Sequence, residues 1–362
     1  MTSSSIGRRT LGRVLGGAAL AALVAMGAAQ GAAAKELHVL NWQGWGTDQP
    51  FATAAFEKAT GFKVVNDYMT SFPEAFTKLH TSPGYYDIFV VSMAWVRRAI
   101  DEGLLDPIDV NKVKNFNDLL TPLRTSDAIQ KDGKVYGVPW VWGSVSISYN
   151  TEVFAAPPSS VQVLWDAKHA GRLCWHDAVD DSIGFAALAT GQDPNNPANL
   201  DAVRQKLRDL KPQLKTMWKS EDEWLKLVGS GQCDLSIIWM DSTEKAKTLH
   251  KLPINFVVAE EGALGFRDAI AIPKGAPNPD AAYAFIDYMT SPEFYAGWTK
   301  AGGAPVAANQ VAIKALPEQS MERQVLSDPA TVNRIRFKQL QPDDRLKAFT
   351  ELWEETKAYY AQ

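Results

Sequence analysis

From residue 37 onward the chain alternates two kinds of hydrophobic spacing. Short apolar runs, LHVLNW, FKVVNDYM and YDIFVVS, are separated by stretches with helical spacing, TAAFEKAT, PEAFTKLH and AWVRRAIDEG. The first kind suits strands inside a sheet and the second suits helices on its faces, so the order predicts a parallel α/β sheet. VSISYN alternates with a period of two and predicts a further strand. A second α/β series runs through LWDAKHAG, the strand LCWHD, the helices LDAVRQKLRDLKPQL and EDEWLKLVGSG, and the strands CDLSIIW and INFVVAEEG. In DAIAIPKGAPNPDAAYAFIDYMTSPEFYAGW a proline-glycine turn precedes what reads as one long amphipathic helix, and DDRLKAFTELWEETKAYY predicts the last.

The first 34 residues break this pattern. Arg8, Arg9 and Arg13 precede an alanine- and leucine-rich run that ends in small residues at Ala32 and Ala34. That layout predicts a secretory signal peptide over 1–34, cleaved after Ala34, and hence a periplasmic protein exported by Sec or Tat, with Arg8-Arg9 the feature that points to Tat. The mature chain keeps 34 basic against 41 acidic side chains, a net charge of −7. Such a balance does not steer a protein to nucleic acid or an anionic membrane. No later apolar segment reaches spanning length, which predicts a soluble mature protein. At about 330 residues it exceeds one comfortable core, which favours two lobes. Cys174 and Cys233 each sit at the start of a strand; in an oxidising compartment they form either a disulfide or two buried thiols.

Ligands of open α/β sheets bind beyond the carboxyl ends of the strands. Here those exits carry Asn41, Trp42 and Trp45; Ser92 and Trp95; Asp177, Asp180 and Asp181; Trp239, Asp241 and Ser242; and, before DAIAIP, Phe266 and Asp268. Rings and carboxylates without a matching set of basic residues suit an alkylammonium ligand, because ring faces attract the cation and carboxylates accept its charged hydrogen bonds. Arg267 could meet a ligand carboxylate, but strand alternation turns it away from Phe266 and Asp268. His176-Asp177 lacks a nucleophile motif, and Tyr85-Tyr86 reads as packing. With no phosphate loop, dinucleotide fingerprint or zinc spacing, the sequence predicts no enzyme, cofactor or metal.

NWQGW, YDIFVVS, GVPWVWGSVSISYN, SIIWMDS, FRDAIAIPKGAPNP and AAYAFIDYMTSPE occur in this order. With them the chain resembles the spermidine/putrescine-binding proteins of bacterial ABC importers over nearly its whole mature length. The resemblance implies a type II periplasmic binding protein of the α/β class. Each of its two lobes is a mixed, mostly parallel sheet flanked by helices, and crossing hinge strands link the lobes. The N-terminal lobe takes 35–138 plus about 259–305, and the C-terminal lobe 139–258 plus about 306–362. The lobes close on a cationic amine, first of all a polyamine such as putrescine or spermidine. The partners implied are membrane permease and ATPase subunits, and the receptor itself is a monomer.

The family's ligand positions fall on Trp42, Trp45, Ser92, Asp181, Trp239, Phe266, Asp268 and Gln339. In this reading Trp42, Trp45 and Phe266 sandwich the alkyl chain, Asp268 grips one ammonium, and Asp181 or Asp241 holds the other. Gly44, Ala94, Ala178 and Ala304 stand where the family carries acidic or aromatic groups, while Asp48 and Asp180 offer acids from new places. These departures leave the amine's identity open. A zwitterionic, amino-acid-like ligand and a sensing role without transport remain as alternatives.

Overall fold

The computed structural model describes residues 35–326 and 328–362, so the signal-peptide expectation for 1–34 lies outside the described residues. The strands are β1 (Lys35–Asn41), β2 (Phe62–Tyr68), β3 (Ile88–Ser92), the short pair β4 (Gln130–Lys131) and β5 (Lys134–Val135), β6 (Val138–Asn150), β7 (Leu173–His176), β8 (Leu214–Trp218), β9 (Leu235–Trp239), β10 (Ile254–Val257), β11 (Ala263–Ala271), β12 (Val306–Ala307) and β13 (Ile335–Phe337). One sheet runs β2-β1-β3-β11-β6-β9-β7-β8, with β10 and β12 also paired to β6 and β13 to β11. Two wings result. β1 and β3 are parallel in the first, and β7, β8 and β9 are parallel in the second. The long antiparallel strands β11 and β6 join them.

Parallel strands covered by helices on both faces must be apolar throughout, and β3 (IFVVS) and β9 (LSIIW) are buried at every position except the last. Those last residues, Ser92 and Trp239, stand where the chain leaves the sheet. The covering helices start on local signals. Ser71 caps Phe72–Thr81 by accepting from the Glu74 N–H, and Pro73 occupies the first turn. Among the described residues no helix is long and apolar enough to cross a membrane.

The fold departs from the sequence-predicted elements at three places. β6 extends over 13 residues, far beyond VSISYN, and is buried everywhere except at Asn150. Its first half, VPWVWG, serves the junction of both wings and shows no period-two alternation. The single long helix predicted near the end of the chain is two, Pro279–Met289 and Pro292–Ala301. Pro292 has no N–H to continue the first helix, and Ser291 accepts from the Phe294 N–H at 3.1 Å to start the second. The helix expected over 200–214 stops at Arg208, ahead of Pro212, and Leu214–Trp218 becomes β8 beside β7.

Cys174 and Cys233 are joined by a disulfide, with Cα atoms 5.7 Å apart, and are buried against Trp218 and Trp224. The bond closes a loop with a sequence separation of 59, which by chain entropy contributes about 4 kcal/mol. The double variant Cys174→Ala/Cys233→Ala should lose about that much in urea unfolding. Reductant should bring the wild type down to the same midpoint and leave the variant unmoved.

Candidate functional site

The loop after β1 is tied down by its first residue. Asn41 is fully buried, and its Nδ2 donates to the Trp45 carbonyl at 2.6 Å and to Thr47 Oγ1 at 2.9 Å. Gly46 adopts φ +76°, and a Cβ there would come within 2.8 Å of the Trp140 and Trp298 rings, so only glycine fits this turn. The result aims Trp45 inward. Its Nε1 donates to Asp268 Oδ2 at 3.0 Å, and its ring meets Phe266 at 5.8 Å and Trp298 at 6.0 Å. Phe266 pairs in register with Gly143, where a Cβ would lie 2.6 Å from the Phe266 Cζ. The missing side chain lets the phenyl ring lie across the strand.

Asp268 sits at the centre of this wall. It pairs with Ser92 of β3 on one side and Val141 of β6 on the other, and is buried. Burial raises the carboxyl, the Trp45 N–H bond and the charge of Lys338 pull it back, and the balance leaves it at about 7. The Ser92 hydroxyl is turned to the Arg267 carbonyl at 3.5 Å. Arg267 points to the other face, its guanidinium 4.7 Å from the Phe337 ring centroid, in agreement with strand alternation.

The facing wall is built at the ends of β7 and β13. His176 stacks on Trp218 at 4.1 Å, with Trp239 edge-on at 5.0 Å. Asp181, in the first turn of helix Val179–Ala189, is 1% exposed. Its Oδ2 is 2.7 Å from His176 Nδ1, and its Oδ1 accepts from Lys338 Nζ at 2.6 Å. Burial alone would raise this carboxyl, but Lys338 and His176 more than offset it and hold it well below the usual range. Burial likewise opposes the Lys338 charge, yet Asp181, Asp180 and Asp268 together hold its pKa above the ordinary lysine value.

Lys338 corrects the expectation of a site without a base. In the sequence FKQL it reads as a surface lysine, and no spacing rule marks it. Its position follows from register: β13 pairs parallel with β11, Gly265 opposite Phe337, so Phe337 shares the Arg267 face and Lys338 takes the Asp268 face. His176 was likewise visible only as half of a dipeptide. Asp177 does turn elsewhere, accepting from Trp353 Nε1 at 2.8 Å beside Lys357.

The remaining sequence-predicted residues are more dispersed. Trp42 packs edge-on against Phe72 at 5.5 Å, and Phe72 stacks on Trp95 at 5.3 Å. Asp48 is drawn into its own loop, accepting from the Gly44 N–H at 2.7 Å and the Tyr68 hydroxyl at 3.2 Å. Gln339 is exposed and lines a recess of about 30 Å³ with Asp180, Asn195 and Lys338. Asp241 is buried with Glu221, Glu322 and Lys245 as its charged neighbours, and none of these belongs to the group around Asp268. Burial, reinforced by Glu221 and Glu322, keeps the Asp241 carboxyl well above its ordinary range, and its Oδ1 has no hydrogen-bond partner among the described residues.

Comparison with known proteins places these walls in a family context. The family described as bacterial extracellular solute-binding protein matches residues 52–322. The chain is 28% identical over 308 residues to a spermidine/putrescine-binding periplasmic protein of Haemophilus influenzae, covering 84% of each. It is 25% identical over 333 residues to a putrescine-binding periplasmic protein of Escherichia coli, covering 84% of this chain and 88% of that protein. Its fold matches the spermidine/putrescine ABC transporter substrate-binding protein of Streptococcus pneumoniae with a TM-score of 0.77 at 22% identity, over 90% of this chain and 99% of that one.

Glu322 carries the clearest stability consequence of this packing. It is buried, its Oε2 has no hydrogen-bond partner among the described residues, and burial raises its carboxyl from 4.5 to about 7. A raised acid stays protonated in the fold but ionises on unfolding, so its destabilising effect grows as pH rises from about 4.5 and is complete above about 7. Glu322→Gln should match the wild type near pH 4.5 and be more stable by about 2–3 kcal/mol at pH 8. Melting curves across that range check it.

Proposed function

Because the chain belongs to the bacterial extracellular solute-binding proteins, we propose that it is the substrate-binding component of an ABC importer and captures an organic amine of the kind named for its polyamine-binding relatives. The observation that carries this reading is Asp268, a buried carboxyl with one side-chain donor among the described residues, the Trp45 indole N–H, on the same strand face as Phe266. A ligand ammonium supplies the positive charge that this carboxyl lacks, and the rings of Trp45 and Phe266 accept its methylenes and stabilise the cation by about 0.5–2 kcal/mol each. Ser92 and Trp239 flank the same space from the ends of β3 and β9.

An amine reaching both walls makes contacts that exist only when they approach, and so favours the closed arrangement of the two lobes. In this reading the strands β6 and β11, which pass between the wings, act as the hinge. The closed form is then presented, as a monomer in the periplasm, to a permease and ATPase pair. Gln339 stands at the mouth, and Trp42 supports the rim through Phe72.

Two outcomes test the assignment. Asp268→Asn should weaken the tightest-binding amine of a calorimetric panel at least tenfold, the size of one charged hydrogen bond; unchanged affinity would remove Asp268 from the site. The ammonium binds the ionised carboxyl, and that carboxyl titrates at about 7 in the free protein. Affinity should therefore fall as pH drops below 7, tending towards tenfold per pH unit. Asp268→Asn should abolish that slope.

A further inference from the structure

A polyamine carries an ammonium at each end, so a cleft that grips it needs two acids free to accept. Those facing the space are Asp268 on β11 and Asp180 and Asp181 at the start of helix Val179–Ala189. Asp181 has one oxygen on His176 and the other on Lys338, and only 1% of its surface is exposed. With a partner on each oxygen and almost no exposed surface, it is closed to a ligand. Asp180 is exposed at the recess that Lys338 and Gln339 also line, and its charge acts on Lys338. Asp268 alone is buried with a single donor, on Oδ2, and has acceptor capacity left.

Lys338 is not saturated in the same way. Its ammonium has three N–H donors, and Asp181 Oδ1 is its one hydrogen-bond acceptor among the described residues. Its side chain keeps 30% of its surface accessible. Two donors can thus turn to a solute entering from the Asp268 side. A second ligand ammonium in the same place would meet this fixed cation instead of a free carboxylate. Arg267, the other cation nearby, lies over Phe337 on the opposite face and offers no competing contact.

Resting on the amine-binding reading above, we propose that Lys338 is the specificity-determining residue of this cleft. It occupies the second cation position, so the site takes a solute with one ammonium and one carboxylate, an ω-amino acid, in preference to a diamine of equal length. The ammonium goes to Asp268 under Trp45 and Phe266, and the carboxylate accepts from the two spare donors of Lys338.

The test is isothermal titration of the mature protein with matched four-carbon and five-carbon pairs, 4-aminobutanoate against 1,4-diaminobutane and 5-aminopentanoate against 1,5-diaminopentane, with spermidine alongside. The wild type should bind at least one amino acid tenfold or more tighter than its matched diamine. Lys338→Met, in which Asp181 retains His176, should reverse this order by weakening the amino acid and strengthening the diamine at least tenfold each. Lys338→Arg, which keeps the charge, should preserve the wild-type order. A wild type that binds diamines or spermidine as tightly as the amino acids overturns the proposal, and does so even if the methionine variant fails to fold. If those polyamines bind tightly and Asp268→Asn abolishes their binding, the amine-binding reading stands while this inference falls. If no member of the panel binds, both fall.

Discussion

The antiparallel ladder between β6 and β11 sets the orientation of the strands that carry the candidate site. Among the described residues, the sheet passes from one parallel wing to the other through this ladder. β11 also fixes the register of β3 on one edge and pairs with β13 further along, so three separate stretches of chain take their orientation from one strand. Because side chains alternate across a strand, that register decides which residues face the cleft. Phe266, Asp268 and Lys338 share one face, and Arg267 and Phe337 share the other. A slip of one residue along β11 would exchange the two sets and replace a buried acid with a buried arginine.

Charge in the cleft follows from that geometry. A carboxylate taken out of water needs a partner or it takes up a proton. Asp181 has found Lys338 and His176 and stays ionised, whereas Asp268 has only an indole N–H and drifts towards neutrality. Two acids at the same cleft are thus prepared for different tasks. One is tied into its wall through both oxygens, and in the proposed reading the other takes the charge of the ligand. Aromatic packing accompanies this contrast: Trp218 stacks on His176, while Trp45, itself packed against Phe266 and Trp298, donates to Asp268.

Much of this was legible in the chain alone. The alternation of strand and helix patterns depends on local spacing, whereas Phe266 and Asp268, expected at a strand exit, lie inside β11, and Asp268 meets Trp45 only across 223 residues of chain. The break between Pro279–Met289 and Pro292–Ala301 and the early stop of Leu200–Arg208 are also written locally, in Pro292 and Pro212, beneath an amphipathic period that runs on across both. Asp241 misled for another reason. Its position after Trp239 resembles the other exits, yet the first turn of helix Met240–Thr248 carries it into a separate acidic group with Glu322.

The two-winged α/β plan and the supply of aromatic and acidic side chains are readable from the chain alone, because they rest on periodicity and on side-chain chemistry; the turn that aims Trp45 also needs the distant rings of Trp140 and Trp298. How the acids are divided depends on contacts between distant segments. Lys338 lies 157 residues from Asp181, and their contact exists only because β13 joins β11 in one particular register. Long-range pairing of this kind leaves no periodic trace in either segment, and it is what turns a group of carboxylates into one saturated acid and one open acceptor.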